Sequence, residues 1–127
     1  MTNILLVGIG GFIGSVLRYL VSGAVQNSMK RLDFPYGTLA VNLIGCFVIG
    51  ILAQYGESRG VFSNESRAFI FIGILGGFTT FSSFGNDTIN LVRESFVTNA
   101  FLNVGANVLL GLFAVWLGRT ISYLIWR

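Results

Sequence analysis

Four long apolar stretches, separated only by short polar links, leave this 127-residue chain little choice of fold. They run from about Ile4 to Val25, Gly37 to Tyr55, Ala68 to Thr88 and Ala100 to Ile125. A helix needs about 20 apolar residues to cross the hydrocarbon core of a bilayer, and each stretch reaches that length. A closed β-barrel is the other way to satisfy backbone polar groups in lipid. Barrel strands alternate apolar and polar residues, and these continuous runs do not. The expected architecture is an all-α membrane protein with four transmembrane helices, over about residues 4–25, 37–55, 68–92 and 99–125, in one domain spanning residues 1–127. Charged residues make up 10% of the chain, against about 25% in soluble domains, too few for a water-facing surface.

The first stretch is not read as a signal peptide. Met1-Thr2-Asn3 carries no basic side chain, and Arg18 would interrupt the apolar region of such a leader. The expectation is a retained helix in a multi-pass cell (inner) membrane protein. The single cysteine, Cys46, cannot form an intrachain disulfide and reads as a small apolar filler. The absence of histidine removes imidazole acid–base chemistry and most zinc sites. No nucleophile–base set is present, so an enzyme is not expected.

The links hold the charges. Residues 26–36 contain Lys30, Arg31, Asp33 and the only proline, Pro35; residues 56–67 contain Glu57, Arg59, Glu65 and Arg67; residues 90–99 contain Arg93 and Glu94. With four crossings, Arg59, Arg67, Arg119 and Arg127 fall on one side of the membrane, and Lys30, Arg31 and Arg93 on the other. Basic residues set orientation by their excess on the cytoplasmic side, and four against three is almost no excess. Two readings follow. The chain inserts both ways up and pairs with an inverted copy of itself, or some further factor fixes one orientation. The net charge of +3 is spread along helix ends, so no nucleic-acid partner is implied.

Polar groups inside the apolar stretches carry the functional signal. Gly10, Gly14 and Arg18 recur at i, i+4, i+8 on one face of the first helix; the glycines permit close helix approach. A cation at mid-membrane costs about 2.5–3.5 kcal/mol even on lenient scales. Arg18 therefore faces a wet cavity or an anion, or else snorkels to the interface. Thr38 and Asn42 share a face of the second helix, and Asn103, Asn107 and Gly111 share one on the fourth. These amides fit either interhelical glue or a polar path. The third stretch stands apart: Gly73-Ile74-Leu75-Gly76-Gly77-Phe78-Thr79-Thr80-Phe81-Ser82-Ser83-Phe84-Gly85-Asn86-Asp87. Paired glycines followed by hydroxyl residues support a straight helix poorly. The expectation is a break around Gly76 to Thr79. Carbonyls freed at such a break bind cations. Phe81 and Phe84 lie at i, i+3 among Ser82 and Ser83, and a phenyl ring offers a positive edge to an anion.

Pro35-Tyr36-Gly37-Thr38-Leu39-Ala40-Val41-Asn42-Leu43-Ile44-Gly45, Gly76-Gly77-Phe78-Thr79-Thr80-Phe81-Ser82-Ser83-Phe84 and the Gly-Ser-Val-Leu-Arg run ending at Arg18 together resemble the Fluc (CrcB) fluoride channel family. The likeness covers the whole chain in length, helix count and motif order. It implies an antiparallel, dual-topology homodimer with two narrow fluoride pores. It also implies a structural sodium ion held at the dimer centre by the backbone carbonyls of Gly76 and Thr79. By the same resemblance Phe81, Phe84, Asn42, Thr38, Ser82 and Ser83 belong to the fluoride path. Arg18 and Asp87 belong to the vestibule. The sequence departs from the family pattern at Gly111, where serine is frequent; at Asp87, where glutamate is usual; at Gly85, where a small hydroxyl residue is common; and at Asn107, where the polar residue varies.

The function implied is passive export of cytoplasmic fluoride. The alternative is a small four-helix multidrug or cation antiporter, also a dual-topology dimer. Such antiporters use an intramembrane glutamate in the first helix, where this chain has Arg18. A non-transporting accessory subunit is a third class, but it leaves the Thr-Thr-Phe-Ser-Ser-Phe run without a purpose.

Overall fold

The computed structural model describes every residue from Met1 to Arg127 and contains helices and no strand. Four helical crossings, Thr2–Met29, Tyr36–Arg59, Asn64–Arg93 and Val97–Trp126, are long and apolar enough to span a membrane. Each extends the apolar stretch by a few polar residues, because helix hydrogen bonds continue into the interface. The first link shrinks accordingly to residues 30–35, and Lys30 closes the first helix in the left-handed conformation (φ 52°). The second helix ends the same way on Gly60 (φ 60°).

With lipid tails as apolar as leucine, helices associate by close backbone contact rather than by burying oily side chains. The first helix lies against the third through glycines on both partners. A Cβ on Gly10 would sit 3.0 Å from the Gly73 Cα, and one on Gly77 would sit 2.8 Å from the Gly11 carbonyl oxygen. The second and fourth helices meet in the same manner, Gly50 against the Val115 backbone and Gly118 against the Phe47 carbonyl. The buried apolar seam is thin, formed by Val41, Ala68, Leu75, Phe78, Leu91 and Ala100, while most large aliphatic side chains point outward, as suits a lipid solvent.

The third crossing is where the fold departs from a plain bundle. Residues Ala68–Leu75 are wound as a π-helix, followed by one α-turn, Gly76–Phe78. The chain then becomes extended at Thr79 (φ −87°, ψ 159°) and Thr80 (φ −149°, ψ 122°) before a new helix, Phe81–Arg93, begins. The break therefore falls at Thr79–Thr80, a few residues later than the paired glycines indicate. Gly76–Phe78 stay helical, and the Thr79 N–H still reaches the Leu75 carbonyl at 3.1 Å. The half before the break packs on the first helix, and the half after it on Val97–Gly105 at the start of the fourth crossing. The fourth crossing has its own π-segment, Ala106–Leu110, which nothing in the sequence signals.

The Arg119 guanidinium donates to the Glu57 carboxylate, which places Arg119 on the side of the second link. That leaves the basic residues at four against three, as the sequence indicates.

Candidate functional site

The break is held open by one side chain. At Thr80 the N–H, which an unbroken helix would send to the Gly76 carbonyl, donates to Asn42 Oδ1 at 2.8 Å. Asn42 Nδ2 returns a bond to the Thr80 carbonyl at 3.1 Å and donates another to Asn107 Oδ1 at 2.9 Å. The next helix is then started by Thr80 itself: its Oγ1 accepts from the Ser83 N–H at 3.1 Å, an N-cap. Ser83 N–H is the donor that a continuous helix would send to the Thr79 carbonyl. The carbonyls of Gly76 and Thr79 are thus among those the break frees, and their helical donors bond elsewhere. Unpaired carbonyls at membrane depth are costly unless they find a partner.

Around this break lies a cleft of about 370 Å³. Asn42, Gly76, Thr79, Phe81, Phe84 and Asn107 border it, on a wall that also includes Leu75, Ile49 and Val108. No charged side chain lines it. The Phe81 and Phe84 rings stand 5.4 Å apart, tilted at 55° to one another. Phe81 is 83% exposed in the single chain, so one side of the ring pair lacks a wall.

A second cavity, of about 460 Å³, opens at the end of the bundle that carries the first link. Thr38 and Asp87 meet in it, the threonine hydroxyl donating to Asp87 Oδ2 at 2.9 Å. Ser22, Gln26, Asn90 and Glu94 share its wall. Gln26 fixes the rim: Nε2 donates to the Arg31 carbonyl at 2.7 Å and to the Phe34 carbonyl at 3.0 Å, and Oε1 accepts from the Gly37 N–H at 3.0 Å.

The residues singled out from the sequence thus fall into three places. Asn42, Gly76, Thr79, Phe81 and Phe84 converge on the break, and Thr38 and Asp87 on the polar cavity. Arg18, Ser82 and Ser83 border neither. Arg18 is half-buried and pairs with no carboxylate. It lies one turn beyond Gly14, which abuts Ile74 and Phe78, and one turn before Ser22, which borders the polar cavity. Along the first helix it therefore sits between the contact with the third crossing and the polar cavity. Ser82 is exposed, with its hydroxyl 3.3 Å from Thr80 Oγ1. Thr80 is the functional residue that sequence reasoning missed. Its signal was a threonine three residues before Ser83 at the start of a polar-faced helix, the arrangement of an N-cap.

Residues 5–119 match the family described as CrcB-like protein, Camphor Resistance (CrcB). The chain is 47% identical over 122 residues to Fluoride-specific ion channel FluC 3 of Methanosarcina barkeri, covering 96% of this chain and 91% of that protein. It is 48% identical over 119 residues to Fluoride-specific ion channel FluC 1 of Methanosarcina acetivorans, covering 94% and 89%. It is 42% identical over 123 residues to Fluoride-specific ion channel FluC of Shewanella piezotolerans, covering 97% and 98%.

Proposed function

The chain belongs to the CrcB family, and from that membership together with its geometry we infer that it is a fluoride-selective channel of the cell membrane that lets cytoplasmic fluoride leave passively. The observation that carries the reading is the Phe81–Phe84 ring pair, 5.4 Å apart, beside an amide-stapled helix break in a cleft without fixed charge. Fluoride is small and holds its water tightly, so a pore must replace that shell with several modest contacts. Ring edges and amide or hydroxyl donors supply such contacts without a cation that would trap the ion. Both N–H groups of Asn42 are engaged in the resting chain. An anion passing Asn42 has to take over one of those donors, and the bond to Asn107 Oδ1 is the one between two side chains. The hydroxyls of Thr38, Ser82 and Ser83 extend the series. Arg18, one turn from the polar cavity and free of a carboxylate partner, raises the anion concentration at that end.

Two finer features belong to the same reading. The carbonyls of Gly76 and Thr79 would hold a sodium ion: oxygen ligands suit a hard cation, and both are carbonyls whose helical donors bond elsewhere. When bound, such an ion would supply positive charge to the broken segment. The subunit pairs with an inverted copy. The even split of basic residues supports this, and so does the exposed Phe81, a ring that a partner would cover. An antiporter is not favoured, since Arg18 is the only charged side chain of the first helix.

The test is efflux from liposomes containing the purified chain, read with fluoride and chloride electrodes. Fluoride efflux with chloride retained is the expected result. Equal efflux of both ions, or of neither, overturns the assignment.

A further inference from the structure

The bond from Asn42 to Asn107 is one link in a longer line. Asn107 Nδ2 donates to Asn103, to its backbone carbonyl at 2.9 Å and to its Oδ1 at 3.0 Å. Asn103 Nδ2 donates to Thr88 Oγ1 at 3.0 Å, and the Thr88 hydroxyl donates to the Phe84 carbonyl at 2.8 Å. The line begins at the Thr80 N–H and ends at the Phe84 carbonyl, so both ends sit on the third crossing and enclose Phe81 and Phe84. Three helices contribute to it: the second through Asn42, the fourth through Asn103 and Asn107, the third through Thr88.

Its direction is forced. Thr80 N–H can only donate, and the carbonyls of Asn103 and Phe84 can only accept. Turning over any amide in the line would set donor against donor or acceptor against acceptor. From Asn42 onward every side-chain donor therefore points the same way, from the break towards Phe84. Asn42 and Asn107 border the cleft, but Asn103 has 0% of its surface exposed and does not border it. Thr88 does not border it either.

We propose that Asn103 and Thr88 are positioning residues for anion passage: they fix the Asn107 amide with its oxygen towards Asn42, so that Asn42 meets fluoride with its Nδ2 donor and not with its oxygen. Neither residue touches the ion. Without Thr88 the Asn103 side-chain amide loses its acceptor and no longer fixes its oxygen on Asn107 Nδ2, which is left to the Asn103 backbone carbonyl alone, so the partner that holds the Asn42 donor loosens. This rests on the channel reading above.

Thr88→Val keeps the shape of the side chain and removes the hydroxyl; Thr88→Ser restores the hydroxyl. Efflux of fluoride from liposomes should fall about tenfold in Thr88→Val, the scale of one misplaced buried hydrogen bond, and return in Thr88→Ser. Asn103→Leu should fall as far, and the double variant no further, because the two act as one unit. Hydrogen exchange of the Thr80 amide, followed by NMR in detergent micelles, reads the far end of the line and needs no transport. It should quicken in Thr88→Val and recover in Thr88→Ser. Wild-type efflux in Thr88→Val overturns the proposal, whatever the exchange does. So does reduced efflux with unchanged Thr80 exchange, or losses that multiply in the double variant. Should Asn103→Leu fail to fold, the two Thr88 variants still decide. Should the wild-type chain pass no fluoride, the channel reading falls with the transport role, while Thr80 exchange still reports whether the line exists.

Discussion

Replacing Asn42 by aspartate changes almost nothing in shape and reverses the hydrogen-bonding character of one end. In the native chain Oδ1 accepts from the Thr80 N–H at 2.8 Å, and Nδ2 donates at 3.1 Å and 2.9 Å to the Thr80 carbonyl and Asn107 Oδ1. Asn42→Asp keeps the first bond and turns the other two into contacts between oxygens. Each lost bond is worth about 0.5–1.5 kcal/mol, so the local loss is about 1–3 kcal/mol before repulsion is counted. An ionised carboxylate also stands beside the route of an anion. Two unit charges 4 Å apart interact by about 4 kcal/mol at an effective dielectric of 20, which corresponds to about three decades in occupancy. Asn42→Ala removes those two bonds and the Thr80 N–H bond as well, and adds no charge, so it sets an upper bound on the structural part. Initial fluoride efflux from liposomes should fall modestly in Asn42→Ala and by a further hundredfold or more, on the order of that Coulomb term, in Asn42→Asp. Both should be read at matched protein incorporation. Equal efflux in the two variants would refute the electrostatic reasoning, and wild-type efflux in Asn42→Asp would place Asn42 off the ion path altogether.

Phe81→Ile and Phe84→Ile each remove a ring edge and keep the bulk; fluoride efflux should fall about tenfold or more in each, with elution on size exclusion unchanged. Gly10→Ala drives a methyl onto the third helix, where Gly73 Cα is 3.0 Å from the new atom, whereas Gly8→Ala meets nothing within 4 Å. In detergent melts Gly10→Ala should cost about 1–3 kcal/mol and Gly8→Ala should be neutral or slightly stabilising through helix propensity. Exchanging sodium for a large organic cation should weaken subunit association if the Gly76 and Thr79 carbonyls hold the ion, as read by single-molecule dissociation or crosslinking. Reporter fusions to Arg127 should light up on both faces of the membrane, and two added lysines in residues 56–67 should collapse them to one.

The crossings were legible because each apolar run alone exceeds the thickness of the bilayer. The break was legible because glycines and hydroxyl residues cluster in one run, but its position was not. Gly77 backs onto Gly11, and that contact favours keeping Gly76–Phe78 helical, so the chain opens only once Thr79 is passed. No local pattern encodes that packing. The meeting of Asn42, Gly76, Thr79, Phe81 and Phe84 could not be read from any one helix, because it depends on how the second and fourth crossings sit against the third. Asn42 read as glue or as path, and the structure makes it glue at rest: it holds Thr80 on both sides. The two π-segments left no trace in composition. Nor did the separation of Arg18 from both cavities, which follows from the first helix facing the unbroken half of the third.

That geometry also bears on why one chain is not enough. The cleft at the break faces outward from the single subunit, with Gly76 and Phe81 exposed. In a bilayer, that outside is hydrocarbon, where an unpaired carbonyl costs several kcal/mol. Covering the cleft with an unrelated surface would bury the carbonyls without giving them a partner. An inverted copy does more. In the proposed pairing a two-fold axis in the membrane plane would present the same face to itself, and an axis passing beside the break would bring the Gly76 and Thr79 carbonyls of both subunits to one point, where a monovalent cation would satisfy them together. The same operation would lay a partner surface against the exposed side of Phe81, closing the wall that the ring pair lacks. The proposed two-fold pairing would thus answer both defects of the isolated subunit, the stranded carbonyls and the half-built aromatic wall, and the near-even loop charge accords with insertion in the two orientations that such a pairing needs.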